Sequence, residues 1–323
     1  MKVLKILQFC IVFIFVANMA SSQVCPRTET GTVDVLNLTA DPNGFDFNCD
    51  YTPDGMQVKL YKILICESLP TLANYTSVCS PLVNFPSGKS VSITADGTTP
   101  ILDGPVTLTE GSYSHAGILI ENIIGSIFTQ NFSLPLHGSN QDGGTGVGTT
   151  CWSNGNDAKI FYPGGFTEFS ASCGLATEAN PKWSNYTYKG FWTPGGFVNS
   201  APLLTLNGSG KDVYLLADQT SLAPITYDNS GNTEEQNLTT QASYLLGVTK
   251  LEPPATIDPN TSSIDLGFKL KDTFFQKIST SNAYGAGRCS NAQGSRVVSG
   301  TTGAHACLAT SYATTFDFRF EVK

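Results

Sequence analysis

Between Gly55 and Cys79 the chain reads GMQVKLYKILICESLPTLANYTSVC, and no other stretch narrows the choice of fold as much. From Met56 to Leu60 the residues alternate, with Met56, Val58 and Leu60 on one face and Gln57 and Lys59 on the other, the period-2 signature of a half-covered strand. After Tyr61 and Lys62 come Ile63, Leu64 and Ile65 in a row, which demands either cover on both faces or a bulge that switches faces. Nowhere in the chain does an apolar i, i+3, i+4, i+7 stripe persist long enough for a substantial helix. The core is therefore expected to be all-β.

Residues 1–22 read as a secretory leader: Lys2 and Lys5 form a basic start, Ile6 to Val16 an apolar run, and Ala20-Ser21-Ser22 a small-residue cleavage site. The apolar run is too short to span a bilayer, and Ser22-Gln23-Val24 before Cys25 lacks a lipobox. The terminal FDFRFEVK carries no anchor signal. The expected product is extracellular or at the cell surface, with no membrane insertion after cleavage. Cys10 goes with the leader, leaving Cys25, Cys49, Cys66, Cys79, Cys151, Cys173, Cys289 and Cys307, an even set that in an exported chain reads as a disulfide framework. The simplest pairing is sequential, with a crossed arrangement open among the first four. Each loop of this size contributes roughly 3 kcal/mol by restricting the unfolded chain. No CxxC spacing supports zinc. A net charge of −8 with only 18 Lys and Arg, scattered, excludes a phosphate-backbone partner.

Along the mature chain, Thr32–Leu38 is expected as a first strand and Ala40–Asp54 as an Asp/Asn/Gly-rich connection. Asp46, Asn48 and Asp50 have the opening spacing of a calcium loop, but Tyr51 and Gln57 stand where the turn glycine and the bidentate Glu belong, which rules out an EF-hand. A looser calcium site competes there with Asx turns. Strands follow at Val91–Thr94, Ile101–Leu108, Tyr113–Ile120 and Ile127–Leu134, punctuated by Asp96-Gly97, Asp103-Gly104 and Glu110-Gly111. Together these give an antiparallel β-sandwich of immunoglobulin-like size over 23–137. The immunoglobulin family itself is not implied, since no tryptophan precedes Trp152. Residues 138–150 are expected as a Gly-rich linker or long loop and 151–323 as a second disulfide-bonded β-rich domain. The glycines at 143–148 lack the Walker lysine and GxGxxG spacing, so a phosphate cradle is not supported. In the second half, strands are expected at Leu203–Leu206, Val213–Leu216 and Tyr244–Leu251, then at Ile264–Leu270 and Phe316–Val322, both alternating strictly.

From Cys151 to Phe197 the aromatics concentrate, including every tryptophan, and PGGF occurs at 163–166 and 194–197 as two matching turns. Two readings compete: these rings fill the core, or Trp183, Trp192, Tyr162 and Tyr188 face out to stack on glycans. No GxSxG, HExxH or SxxK occurs, and His115, His137 and His305 sit in no catalytic spacing. Seven Asn-x-Ser/Thr sequons, at Asn37, Asn74, Asn131, Asn185, Asn207, Asn237 and Asn260, matter only in a host that glycosylates.

The chain is thus expected to be a secreted, non-catalytic structural or adhesive protein without metal or cofactor. It would act through protein partners or self-association; a terminal strand, Thr32–Leu38 or Phe316–Val322, pairs either within its own sheet, the commoner outcome, or with the edge of a neighbour's sheet. A carbohydrate-binding role for 151–197 is second, and a secreted glycoside hydrolase using an unsignalled carboxylate pair is third.

Overall fold

The computed structural model describes residues 23–38, 46–71, 74–94, 109–138, 147–162, 165–166, 171–193, 196–198, 200–204, 210–223, 225–227, 238–240, 242–261, 264–272, 274–279, 306–313 and 317–322. The leader, the strand expected at Ile101–Leu108, the glycine cluster at 143–146 and Cys289 lie outside them. The first half holds β1 (Gln23–Val24), β2 (Asp46–Tyr51), β3 (Gly55–Cys66), β4 (Cys79–Thr94), β5 (Gly111–Ile127), β6 (Thr129–His137) and β7 (Val147–Ser153). Next come β8 (Ala158–Tyr162), β9 (Gly165–Phe166), β10 (Ala171–Gly174), β11 (Ser184–Thr193), β12 (Gly196–Val198), β13 (Ser200–Leu204) and β14 (Gly210–Leu216). The last are β15 (Ile225–Tyr227), β16 (Leu238–Thr240), β17 (Tyr244–Ile257), β18 (Ile264–Lys269), β19 (Phe274–Ser279), β20 (Ala306–Ala313) and β21 (Asp317–Val322). Helix among the described residues is limited to one turn, α1 (Tyr75–Val78), and 3-10 turns at Val35–Asn37 and Ala176–Glu178.

A seven-stranded sheet runs in the order β1-β2-β19-β20-β6-β7-β10. A ten-stranded sheet runs β13-β14-β17-β5-β11-β8-β9, with β12 on β11 and β3 then β4 beyond β5. Pairing is mostly antiparallel; β1–β2, β8–β11 and β6–β20 are parallel. One buried apolar cluster draws on both sheets, with Phe132, Leu136, Phe274 and Ile278 from the first and Leu60, Ile63, Ile118 and Leu245 from the second. Edge-to-face rings cross it: Tyr51 lies 5.6 Å from Phe128 and 6.1 Å from Phe274, and Phe274 lies 6.4 Å from Tyr186 of the other sheet. Each such pair contributes about 0.5–1.5 kcal/mol beyond its burial.

Three disulfides are present among the described residues. Cys25–Cys49 ties β1 to β2, while Cys66–Cys79 and Cys151–Cys173 each join directly opposed positions on neighbouring strands, β3 with β4 and β7 with β10. Cys307 lies in β20, and a bond to Cys289 falls outside the described residues.

Strand β5 organises the larger sheet. One edge pairs with β3 between His115 and Ile127, but the other is shared: residues 111–121 pair with β17 and residues 124–126 with β11. Asn122 sits in the fork, 1% exposed. Its Oδ1 accepts the Tyr188 N–H at 3.0 Å, and its Nδ2 donates to the carbonyls of Tyr188 at 2.8 Å and Ala242 at 3.1 Å. Where a ladder splits, backbone groups lose their strand partner, and one amide side chain replaces it for both departing strands.

Both large sheets mix strands from 23–137 and 151–323: β2 pairs with β19 and β5 with β17. The Gly-rich stretch falls between β6 and β7, which pair with each other, as the long-loop alternative has it. Other expectations are corrected. Thr32–Leu38 is not a strand: Val33 makes isolated bridges, to Arg27 and to Phe132, and Val35–Asn37 is a 3-10 turn. Within the expected Ala40–Asp54 connection, Asp46–Tyr51 is β2, an extended strand instead of a calcium loop.

Candidate functional site

The aromatic segment divides between core and rim. On β11, Ser184, Tyr186 and Tyr188 are buried while Asn185, Thr187 and Lys189 between them are half-buried, so the period of two turns the tyrosines into the interior. Tyr188, expected as a glycan contact, is 6% exposed and is corrected to a core residue. Trp183 is half-buried against the strand crossing; a Cβ on Gly55 would lie 3.0 Å from its ring, so Gly55 is what lets the indole approach the backbone. Tyr162 and Trp192 lie at one end of the larger sheet, Tyr162 opposite Phe191 and Trp192 opposite Phe197; their side chains fall outside the described residues. Positions 183 and 192 are about 30 Å apart along an extended chain, so Trp183 and Trp192 cannot grip one sugar ring.

The best-defined mixed surface lies elsewhere, on the face of the ten-stranded sheet turned away from the main core. One row crosses four strands: Leu216 opposes Tyr244, Tyr244 opposes Glu121, and Lys59 pairs with Glu121 at 3.7 Å. The Lys59 ammonium also stands 5.5 Å over the Tyr61 ring, and Tyr61 meets Tyr244 edge-on at 5.0 Å. A hydrogen bond to Tyr61 and then the Glu121 charge hold the Lys59 pKa above its usual value, so it stays cationic through the physiological range. Gly88 of β4 completes the patch. Its φ is +74°, and a Cβ there would come within 2.7 Å of Lys59 Cε and 3.0 Å of Tyr61 Cζ, so only glycine fits on both counts.

Beside this row lies a second apolar cluster of Leu64, Leu119, Leu216, Leu246 and Val248, roofed by Tyr75 of α1. The Tyr75 hydroxyl donates to the Gln219 carbonyl, fastening the loop closed by Cys66–Cys79 onto the turn after β14. That turn is shaped by Asp218, whose carboxylate accepts the N–H groups of Thr220 and Ser221 at 2.7 and 2.8 Å; these bonds hold its pKa below the ordinary carboxylate value. Sequence reasoning missed both the row and this strap. The outward series Gln57, Lys59, Tyr61 on β3 was its visible trace.

His115 is half-buried on β5 with Nδ1 2.8 Å from the Ser114 hydroxyl. That hydroxyl donates to the Glu67 carbonyl at 2.9 Å, so toward the imidazole it acts as the acceptor of an Nδ1–H hydrogen bond and is not activated by it. Asp50, the last of the calcium-spaced residues, is buried, and among the described residues no three His, Cys, Asp or Glu side chains converge to hold a metal. No described helix is long and apolar enough to cross a membrane.

No family model matches the chain, and no curated protein or solved structure matches it. Its functional reading rests on its own residues.

Proposed function

We propose that the protein is a secreted, non-catalytic structural or adhesive component of a cell surface or extracellular matrix, acting through protein contacts that include copies of itself. The observation that carries this reading is the ribbon of β18 and β21. Its register sets Ile264 opposite Val322, Leu266 opposite Phe320 and Phe268 opposite Phe318 on one face, with Asp265 opposite Glu321 and Lys269 opposite Asp317 on the other. Among the described residues each strand has one hydrogen-bonded neighbour, the other, which leaves each with an edge able to receive a further strand. The terminal strand thus takes the intramolecular partner that was the commoner of its two expected outcomes, and the ribbon as a unit is the adhesive element. Disulfides and a buried core shared by two sheets suit a stiff load-bearing body, and we infer that the sheets stack as the layers of a sandwich.

Light scattering after size exclusion tests this directly. The mature chain should assemble as concentration rises, and a truncation ending at Thr315 should not; a free peptide of residues 317–322 should lower the assembled mass without altering the fold. A monomer at every concentration refutes the reading.

The pairing of Trp192 with Phe197 on one face of a sheet end, and of Tyr162 with Phe191 on the other, supports a second reading, glycan contact at that end. Loss of glycan-array binding in Trp192→Ala, but not in Trp183→Ala, would favour it; equal binding by both would remove it.

A further inference from the structure

One asparagine in three heads an Asn-x-Ser/Thr sequon, in a chain where about one residue in five is Ser or Thr. Five of the seven sequon asparagines, Asn37, Asn74, Asn131, Asn185 and Asn260, are described, and the fold treats them differently. Asn37, Asn131 and Asn260 are exposed. Asn37 ends the 3-10 turn, where its Nδ2 donates to the nearby Asp34 carboxylate at 2.7 Å. Asn131 stands on β6 with its Oδ1 accepting the Thr150 hydroxyl at 2.8 Å, a bond that survives substitution at Nδ2. Asn260 lies in the turn between β17 and β18, where its own N–H donates to Asp258 and the Thr261 hydroxyl accepts the Asp258 N–H.

Asn185 is the contrast. It is half-buried on β11 opposite Gly125 of β5, its Nδ2 donates to Asp157 at 3.0 Å, and its Oδ1 would lie 3.5 Å from a Cβ on Gly125. A glycan on that nitrogen leaves one N–H but would crowd the Asp157 carboxylate and the short β5–β11 ladder beside it, whose three residue pairs follow the Asn122 fork.

We propose that Asn37, Asn131 and Asn260 are N-glycosylation sites that take a high-mannose or complex N-glycan, and that Asn185 stays bare in the folded protein. The proposal rests on the secreted reading above. A bulky, hydrated glycan costs the folded state little where the asparagine is already exposed. Asn37 and Asn131 belong to one region, since the Val33 N–H donates to the Asn131 carbonyl and the Val35 N–H to the Ser133 hydroxyl. Glycans at these two would cover the seven-stranded sheet near β6 and leave the Lys59–Glu121 row of the other sheet uncovered.

The full chain, with residues 1–22 directing it, would be expressed in insect or yeast cells, and medium and lysate analysed separately. Deglycosylation by peptide N-glycosidase in heavy-oxygen water then marks each formerly occupied asparagine as labelled aspartate. The expected result is secreted protein whose mobility shifts on deglycosylation, labelled at Asn37, Asn131 and Asn260 and unlabelled at Asn185. Secreted protein without a shift, or labelled at Asn185, overturns the proposal and leaves the secreted reading standing. Retention of the unglycosylated chain in the cytosol overturns both. Asn37→Gln, Asn131→Gln and Asn260→Gln should each remove one glycan step from the ladder of partial digestion, which checks the sites one at a time.

Discussion

Replacing Asn122 by Ala should be among the most damaging single changes in this protein, although it deletes only an amide. The side chain supplies one acceptor and two donations to the backbone of Tyr188 and Ala242, at 2.8 to 3.1 Å, in a position 1% exposed. Truncation strands the buried Tyr188 N–H and removes a donor from the buried Tyr188 carbonyl and the part-buried Ala242 carbonyl. An orphaned buried group costs about 1–3 kcal/mol, with carbonyls at the lower end because they keep a second lone pair, so the total is about 3–5 kcal/mol. That is a large share of the roughly 5–15 kcal/mol that stabilises an ordinary domain. In urea, at a slope of about 3 kcal/mol/M, the midpoint should fall by roughly 1 M or more without a change in slope. Hydrogen exchange should show the Tyr188 amide losing protection before amides in the centre of β3. Asn122→Asp adds a sign test: its carboxylate would face two carbonyls, which raises its folded pKa above the unfolded value of about 3.9. Its stability should then rise as pH falls through that raised value, because the protonated acid regains a donor. A loss below about 1 kcal/mol for Asn122→Ala, with Tyr188 still protected, would show that the fork is held by packing and not by this side chain.

The buried Tyr51 hydroxyl has no hydrogen-bond partner among the described residues, so Tyr51→Phe should leave stability unchanged or slightly raised in chemical denaturation. Burial, then Tyr186 and Asp54, push the Tyr51 pKa well up, so the folded state keeps a proton that the unfolded state releases above about pH 10. Stability should therefore fall as pH rises beyond that point, less steeply in Tyr51→Phe; identical slopes would contradict the burial. Gly88→Ala should cost about 1–2 kcal/mol from its left-handed backbone alone and further displace Lys59 and Tyr61, read as a lowered melting temperature. Replacing Cys66 and Cys79 by Ser opens a loop with a sequence separation of 13, which should cost about 3 kcal/mol and expose Glu67–Val78 to limited proteolysis. Resistance equal to the parent would mean that Tyr75 alone holds the strap.

What the sequence disclosed followed from which physical signal each element leaves. Strand β3 was plain because Met56 to Leu60 alternate, and the bulges between Leu60 and Lys62 and between Ile63 and Leu64 explain why the alternation then breaks. Most of β4 went unseen because Pro81, Pro86 and Gly88 resemble loop chemistry; on a strand that among the described residues pairs along one edge, such residues discourage further pairing on the other. Asp46–Tyr51 was hidden in the same way by Asp and Asn, which its pairing with β19 overrides. Tyr186 and Tyr188 could have been placed in the core from the period of two in Ser184–Lys189, which the local density of aromatics obscured. The Asn122 fork left no signal at all, since it depends on two strands more than 50 residues away in the chain meeting β5.

The pairing of β2 with β19 also constrains how the chain can be made. Their hydrogen-bonded residues, such as Cys49 and Gln276, are separated by more than 220 positions, so β2 is synthesised long before its partner exists. Loop closure over such a distance is entropically late, and topologies dominated by remote pairing fold slowly. Vectorial synthesis cannot complete an N-terminal unit and move on; the β3–β4 hairpin with Cys66–Cys79 can form early, while the smaller sheet waits for nearly the whole polypeptide. During that interval β2 presents an unpaired edge to every neighbouring nascent chain, which makes the yield of native protein sensitive to concentration and to chaperones that shield strand edges.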